Sequence, residues 1–402
     1  MNKRAISTIF LIVFIDLFGF GIILPLLPYI AELYHANAFT IGLIMAVYSL
    51  CQFIASPILG RLSDRHGRKS LLIISQLGSV AGYILLAVSH TLPLLFLSRV
   101  IDGLTGGNIS VANAYVADIT TPKNRAKGMG YIGAAFGLGL TLGPAIGGQL
   151  ARISFAAPAY FAAAIGLLSA LTTALFLKET VTSPIKSKNS PEAPSSAEVL
   201  RVIFKHPLGL VILTFFLVNF VFSGLQGTFA LWAENTLHFG PTQIGFIFTY
   251  IGLIAVLSQL VLLPLFLKRF TERITFINSH LFLFFGLILI PFVFHLSVLI
   301  FAATILTIGM TLSSTTSQSI GSEQISEKEY GEVLGIFQSS ASLGRIIGPI
   351  VGGFLFHVFS PNTPYIISAL VMLLLYFILV SSLNREPAFM ARLRSRLLPS
   401  SS

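Results

Sequence analysis

The sequence has almost no cysteine, little charge, and no motif for phosphate or a catalytic metal. Cys51 is its single cysteine, which excludes an intramolecular disulfide and any cysteine-built metal cage. Set inside an apolar run, it reads as a small packing residue. No Gly-Lys-Ser/Thr phosphate loop and no His-Glu-x-x-His motif occurs, so ATP-driven work and metal hydrolysis have no residues to run on. No enzymatic activity, cofactor or metal site is therefore expected, and any work must draw on a gradient. Charged residues are 10% of the 402 and hydrophobic ones 54%, where a soluble domain carries about 25% charged residues. With a mean hydropathy of +0.86, no single water-soluble core could hide the apolar surface.

What is present is a series of apolar runs of about 20 residues, the length of helix that crosses a ~30 Å hydrocarbon layer. Bounded by charge or turn residues, they lie at roughly 5–31, 40–60, 70–89, 92–116, 128–150, 158–177, 208–232, 242–266, 274–294, 297–318, 332–357 and 363–383. The first follows Lys3 and Arg4 but is too long for a signal-peptide core, so it stays as an anchor. An even number of spans puts both termini on one side. With that side cytoplasmic, only Arg152 of the 25 Lys and Arg falls in an outside loop, and only Arg99 and Arg345 lie in the membrane. The net charge of +10 thus reports orientation and not a nucleic-acid partner. A Pro/Ser/Lys-rich stretch at 178–207 cannot bury a core and reads as a flexible cytoplasmic linker. It separates a six-helix bundle at 1–177 from a second at 208–384, followed by a basic cytoplasmic tail at 385–402.

The halves repeat each other. Gly130, Gly139, Gly143-Pro144 and Gly147-Gly148 in span five recur at one fixed offset as Gly335, Gly344, Gly348-Pro349 and Gly352-Gly353 in span eleven. Two repeated bundles with a binding site between them are the arrangement of secondary transporters. Between spans two and three, Gly60-Arg61-Leu62-Ser63-Asp64-Arg65-His66-Gly67-Arg68-Lys69 resembles, position for position, the signature of the major facilitator superfamily. Gly139, Gly143, Pro144, Gly147 and Gly148 resemble its antiporter motif, and Arg99, Gly103 and Gly107 its Arg-bearing motif in span four. Asp16, Gly19-Phe20-Gly21, Pro25 and Pro28 are similar to the twelve-helix drug:proton antiporters, which include tetracycline exporters.

The resemblance implies an all-α polytopic membrane protein with twelve transmembrane helices in two pseudo-symmetric six-helix bundles. It implies proton-coupled antiport of small amphipathic drugs or metabolites by alternating access, from the bacterial inner membrane. A facilitator or proton symporter for a sugar or other metabolite is the competing transport reading, and a non-transporting receptor or assembly factor the reading from another class. Partners are a small-molecule substrate, protons and the lipid bilayer, with no nucleic acid; the complete two-half bundle suits a monomer. The resemblance makes the Gly60, Asp64, Arg65, Gly67 and Arg68 segment a cytoplasmic latch, with Asp118 as a partner and Glu332 as an additional candidate. Topology alone would also explain its basic residues. The Gly/Pro segments are either a rocking contact or ordinary close packing.

Four charged residues lie deep in spans: Asp16, Arg99, Asp102 and Arg345. Counting about 1.5 Å per residue from the span ends puts Arg99 about 10 Å deep and the others about 15–20 Å. An unpaired charge there costs at least ~2.5–3.5 kcal/mol, so each should pair or face water. Asp16 is the first proton-carrier candidate and Asp102 the second. A permanent bridge from Asp16 to an Arg such as Arg99 competes with that role, as does pairing of Asp102 with Arg99 one turn away. Arg345 either offsets these acids or binds an anionic substrate group. Asn108, Asn113 and Tyr115, Asn219 and Gln226, Tyr250, Gln318 and Gln338 are the candidate cavity polars, with Gln226 and Gln338 favoured. Span nine lacks the carboxylate that tetracycline exporters need there, and His280, the only titratable side chain well inside it, is expected to cap or hydrogen-bond and not to relay protons.

Overall fold

The computed structural model describes residues 3–181, 208–323 and 330–383. The linker beyond Val181, Lys328, the tail at 385–402 and the Glu332 side chain lie outside the described residues. The first half comprises α1 (Lys3–Ile23), α2 (Leu27–Glu32), α3 (Ala38–His66), α4 (Arg68–Ala87), α5 (Leu92–Thr105), α6 (Asn108–Ile119), α7 (Pro122–Leu150) and α8 (Ala157–Phe176). The second comprises α9 (Gly209–Leu237), α10 (Pro241–Leu257), α11 (Leu263–Arg269), α12 (Glu272–Leu289), α13 (Leu296–Glu323), α14 (Tyr330–Val358) and α15 (Thr363–Leu383). A π-bulge at Ser258–Leu262 joins α10 to α11 into one crossing.

Eleven crossings among the described residues are long and apolar enough to span a membrane unbroken. The twelfth is α5 and α6 together, interrupted at Gly106-Gly107 where a continuous span four was expected. Span one is also two helices, because Pro25 lacks an N–H and disfavours the helical conformation at the residue before it. The Gly60–Lys69 segment is helix and not loop. α3 runs through His66 and α4 begins at Arg68, with Gly67 between them at φ 95°. A side chain there would be strained, and its Cβ would collide with Glu179.

Each half has its own apolar core. Ile22, Leu26, Ile44, Leu95 and Ala162 pack in the first, and Val221, Phe229, Trp232, Leu287 and Tyr365 in the second. Buried Trp232 sends Nε1–H to Asn362 Oδ1 at 2.8 Å, so its polar edge is satisfied. Large apolar side chains such as Leu175, Leu260 and Phe301 stand exposed, as a lipid solvent permits.

Lys3 and Leu383 define a basal face, and the α3 start and α14 end lie at the opposite, distal face. The halves meet along α3 against α14 and α7 against α10. Both contacts are tight distally: Gly42 abuts Pro349 O, Gly353 abuts Ala38 O, Gly245 abuts Pro144 O, and a Cβ on Gly148 would stand 2.7 Å from Pro241 O. Basally, a Cβ added at Gly60, Gly130, Gly133, Gly137 or Gly335 would meet nothing within 4 Å. The molecule is shut on its distal side and parted on its basal side.

Candidate functional site

The break in the fourth crossing builds the site. Gly106 and Gly107 end α5, and the carbonyls this frees are taken up by side chains: Gln52 Nε2 donates to Gly106 O at 2.9 Å, Ser75 Oγ to Thr105 O, and Ser110 Oγ to Gly107 O at 2.7 Å. Asn108, first residue of α6, is thereby fixed next to α1, and its Nδ2 donates to Asp16 Oδ2 at 2.7 Å. Asn108 is 1% exposed, and its Oδ1 has no partner.

Arg99 and Asp102 form a different unit. Nη1 of Arg99 lies 3.1 Å from Asp102 Oδ2, both residues are 2% exposed, and Ser79 adds a hydrogen bond to Asp102. The guanidinium sits 6.0 Å from the Tyr83 ring centroid. The two acids are therefore not equivalent. Asp102 has a cation one turn away, whereas the partner of Asp16 is a neutral amide, so the expected alternative of an Asp16–Arg99 bridge is not formed. A carboxylate with only an amide partner in hydrocarbon can be neutralised by a proton; one locked to an arginine already has its counter-charge.

Across the interface, Arg345 on α14 donates from Nη2 to Ser342 Oγ at 2.9 Å. It forms no ion pair with a described residue, and its electrostatic neighbour is Tyr48 of the first half. Tyr48 accepts a hydrogen bond from Gln52 at 3.2 Å and stacks on Phe20. Arg345 thus stands opposite the acidic cluster without joining it.

The remaining sequence candidates scatter. Gln226 and Asn113 are half-buried, Gln338 is exposed, and none of the three bonds to the cluster. Tyr250 pairs with Thr304 at 2.7 Å, an ordinary interhelical bond. Asn219, Gln318 and His280 bond to carbonyls of their own helices, and Tyr115 Oη to Lys178 O.

At the basal motif, Arg68 is the hub. It bridges Asp64 at 2.5 Å and Asp118 at 3.2 Å and donates to Ser63 Oγ at 2.5 Å, while Gly60 O lies 3.5 Å from Nη1. Glu179 accepts from the backbone N–H groups of Arg68 and Lys69 at 2.8 and 3.1 Å, capping α4 with negative charge at its positive end. Thr180 Oγ1 donates to Asp118 at 2.9 Å. Arg65 is exposed. Glu179 and Thr180 belong to the stretch expected to be flexible linker, so its first residues are instead bound to the first half; none of these contacts reaches the second half, and Asp64 does not meet a helix there.

The Gly/Pro segment has two faces. Gly139, Gly143 and Gly147 seat α7 on α1, a Cβ at Gly139 standing 2.8 Å from Phe18 N. Pro144 and Gly148 instead meet α10 of the other half, where Thr242 Oγ1 donates to Gly148 O at 2.9 Å. Gly348 and Gly352 repeat the first face on α9, and Pro349 and Gly353 the second on α3. Sequence reasoning passed over Tyr48, Gln52, Ser75 and Glu179. The paired glycines at 106–107 were the available signal, since Gly-Gly in a helical run marks a break.

The family model described as Major Facilitator Superfamily matches residues 9–328 and 236–398. The tetracycline resistance protein, class H, of Pasteurella multocida is 30% identical over 362 residues, covering 89% of this chain and 90% of that protein. Multidrug resistance protein 1 of Bacillus subtilis (strain 168) is 31% identical over 369 residues, with 91% and 93% covered. Among solved structures, the human organic anion transporter MFSD10 (TETRAN) superposes with a TM-score of 0.70 at 26% identity, covering 94% of this chain and 99% of its own. With its two repeated six-helix bundles and midplane charges, the chain belongs to the Major Facilitator Superfamily, on the branch that holds tetracycline and multidrug resistance proteins.

Proposed function

We propose that this protein is a proton-coupled antiporter that exports small amphipathic compounds, with Asp16 as the group that exchanges proton for substrate. The observation that carries the reading is the Asn108–Asp16 bond at a helix break. It holds a carboxylate at mid-membrane with an amide and no cation for a partner. Asp102, bound to Arg99, sets the local field and orients the break. The basal face is the cytoplasmic one, by the excess of Lys and Arg there, so this conformation is open to the cytoplasm and shut outside. The twelve-span bundle belongs in the inner membrane, and its completeness in one chain makes the monomer the transport unit.

In the inward-open state, substrate from the cytoplasm enters between the halves and displaces the proton of Asp16. The loaded protein then parts along the distal Gly/Pro contacts and shuts basally through Asp64, Arg65 and Arg68. Outside, the substrate leaves and Asp16 takes up a proton for the return. The carboxylate left at Asp16 when its proton departs favours amphipathic substrates that are neutral or carry a cationic group. The test is transport by the reconstituted protein in liposomes, with tetracycline and a lipophilic fluorescent dye as probes and internal pH recorded. Substrate flux should rise with an imposed pH gradient and move protons the opposite way. Equal flux with and without the gradient would overturn antiport.

A further inference from the structure

A carboxyl pair on the distal seam has no part in the transport cycle so far. Glu32 ends α2 in the first half, and Glu234 lies in the last turn of α9 in the second. α2 packs on α9, where Tyr29 Oη donates to Phe239 O at 2.9 Å across the seam. Glu32, three residues beyond Tyr29, shares that helical face, and its side chain hydrogen-bonds the side chain of Glu234. Two carboxylates offer only acceptors, so this bond requires a proton on one of them. Oε2 of Glu234 is sealed from solvent without a partner. The two positions are also related by the repeat. Ala31-Glu32 and Ala233-Glu234 each precede a left-handed histidine, His35 at φ 58° and His238 at φ 54°, whose N–H donates to the carbonyl of Glu32 (2.9 Å) or Glu234 (3.1 Å).

No cation on the surrounding elements neutralises the pair. Arg152, the one Lys or Arg among the described distal residues, is 3.4 Å from Gln149 Oε1. The distal turns of α3 carry no charged residue. The other titratable groups around the seam are Tyr29 on α2, Tyr34 just beyond it and bonded to Ser89 O, Tyr365 on α15 and bonded to Thr228, and the exposed His35, His238, His295 and His357. His357 lies 3.5 Å from Asn37 Nδ2 across the seam.

We propose that Glu32 and Glu234 form a proton-binding site that exists only while the distal side is shut, one proton bridging the carboxyls as the halves close and leaving when they part. The proton is taken from and returned to the outside, so it is not transported; it biases the cycle. Outside acid favours the inward-open state. Which side is outside follows from the orientation proposed above, whereas the carboxyl pair is independent of Asp16.

Burial, the bond to Glu234 and the charge of Glu234 push the Glu32 carboxyl up to about 7, from an ordinary range near 4.3. The closed state thus holds a proton that the open state lacks between those values. Closure gains strength as pH falls through about 7, levels off below the ordinary range, and is independent of pH well above 7. One proton per closure raises the closed-to-open ratio by up to about tenfold between pH 8 and pH 6.

The test is a distance measurement on substrate-free protein in lipid nanodiscs. Spin labels are placed at Ile153→Cys and Phe359→Cys, exposed distal positions of opposite halves, in a Cys51→Ser background. The short-distance population should gain up to about tenfold over the long one from pH 8 to pH 6. In Glu32→Gln and in Glu234→Gln, an amide donates the bond the proton otherwise supplies, so both should stay closed across that range. All three proteins carry Asp16→Asn as well, which removes the pH response that the transport proton itself gives and keeps failure here separate from failure of the antiport reading. A pH response that survives both Gln variants, or none in the unmodified pair, would overturn the proposal.

Discussion

Gly42→Ala should hold the distal side open. In the shut state a Cβ at Gly42 would collide with Pro349 O and stand 2.8 Å from its carbonyl carbon. Carbon atoms in contact prefer about 3.5–4.0 Å, and the obstacle is helix backbone that cannot rotate away, so α3 and α14 must part by about 1 Å. Overpacking of this kind costs about 1–3 kcal/mol, equivalent to a shift of about 5- to 150-fold toward the distal-open state. The clash lies between the halves and vanishes when they separate, so the fold itself should keep its thermal stability. Gly348→Ala is the control. Its Cβ would meet Phe220 O and lie 3.0 Å from Gly224 N, inside the second half, so it should lower the melting temperature without a comparable shift between states. Distances between labels at positions 153 and 359, read beside thermal melts, separate the two. An unchanged distance distribution in Gly42→Ala, or a loss of stability matching that of Gly348→Ala, would refute the rocking contact.

Three further outcomes follow from the site. Asn108→Ala removes the donor to Asp16 and should weaken coupling, read as a lower ratio of protons moved to substrate moved in proteoliposomes, while Asn108→Gln should restore part of it. Arg99→Ala strands buried Asp102 and should cost about 3–5 kcal/mol of stability; the double change Arg99→Gln with Asp102→Asn should melt higher than the single one. Glu179→Ala uncaps α4 and should cost about 1 kcal/mol, measurable as a lower melting temperature with substrate coupling retained.

The crossings were legible because the hydrocarbon layer imposes a length and an apolar composition that any spanning helix must show. Lys and Arg placement is the ground on which the cytoplasmic side is proposed. The internal repeat pointed to the Gly/Pro faces, although their division into one face for α1 or α9 and another for the opposite half depends on helical phase in three dimensions. The break at Gly106-Gly107 was written in the residues, yet it was passed over because the length of span four fits a single continuous crossing. The partner of Asp16 was beyond reach: ninety-odd residues separate it from Asn108, and nothing local distinguishes that amide from Asn113, which stays outside the network. The same holds for Glu179, whose capping of α4 joins segments 110 or so residues apart. Arg68 meets Asp118, the partner the motif suggested, while the Glu332 side chain lies outside the described residues.

The most direct test of the account is the release of protons on substrate binding. Purified protein in weakly buffered detergent solution near neutral pH is mixed with tetracycline or the lipophilic dye, and the pH of the solution is followed with binding. In a Glu32→Gln background, where the distal carboxyl pair needs no proton, the account predicts proton release that saturates with binding, and binding without release once Asp16→Asn is added. Undiminished release from Asp16→Asn would contradict it.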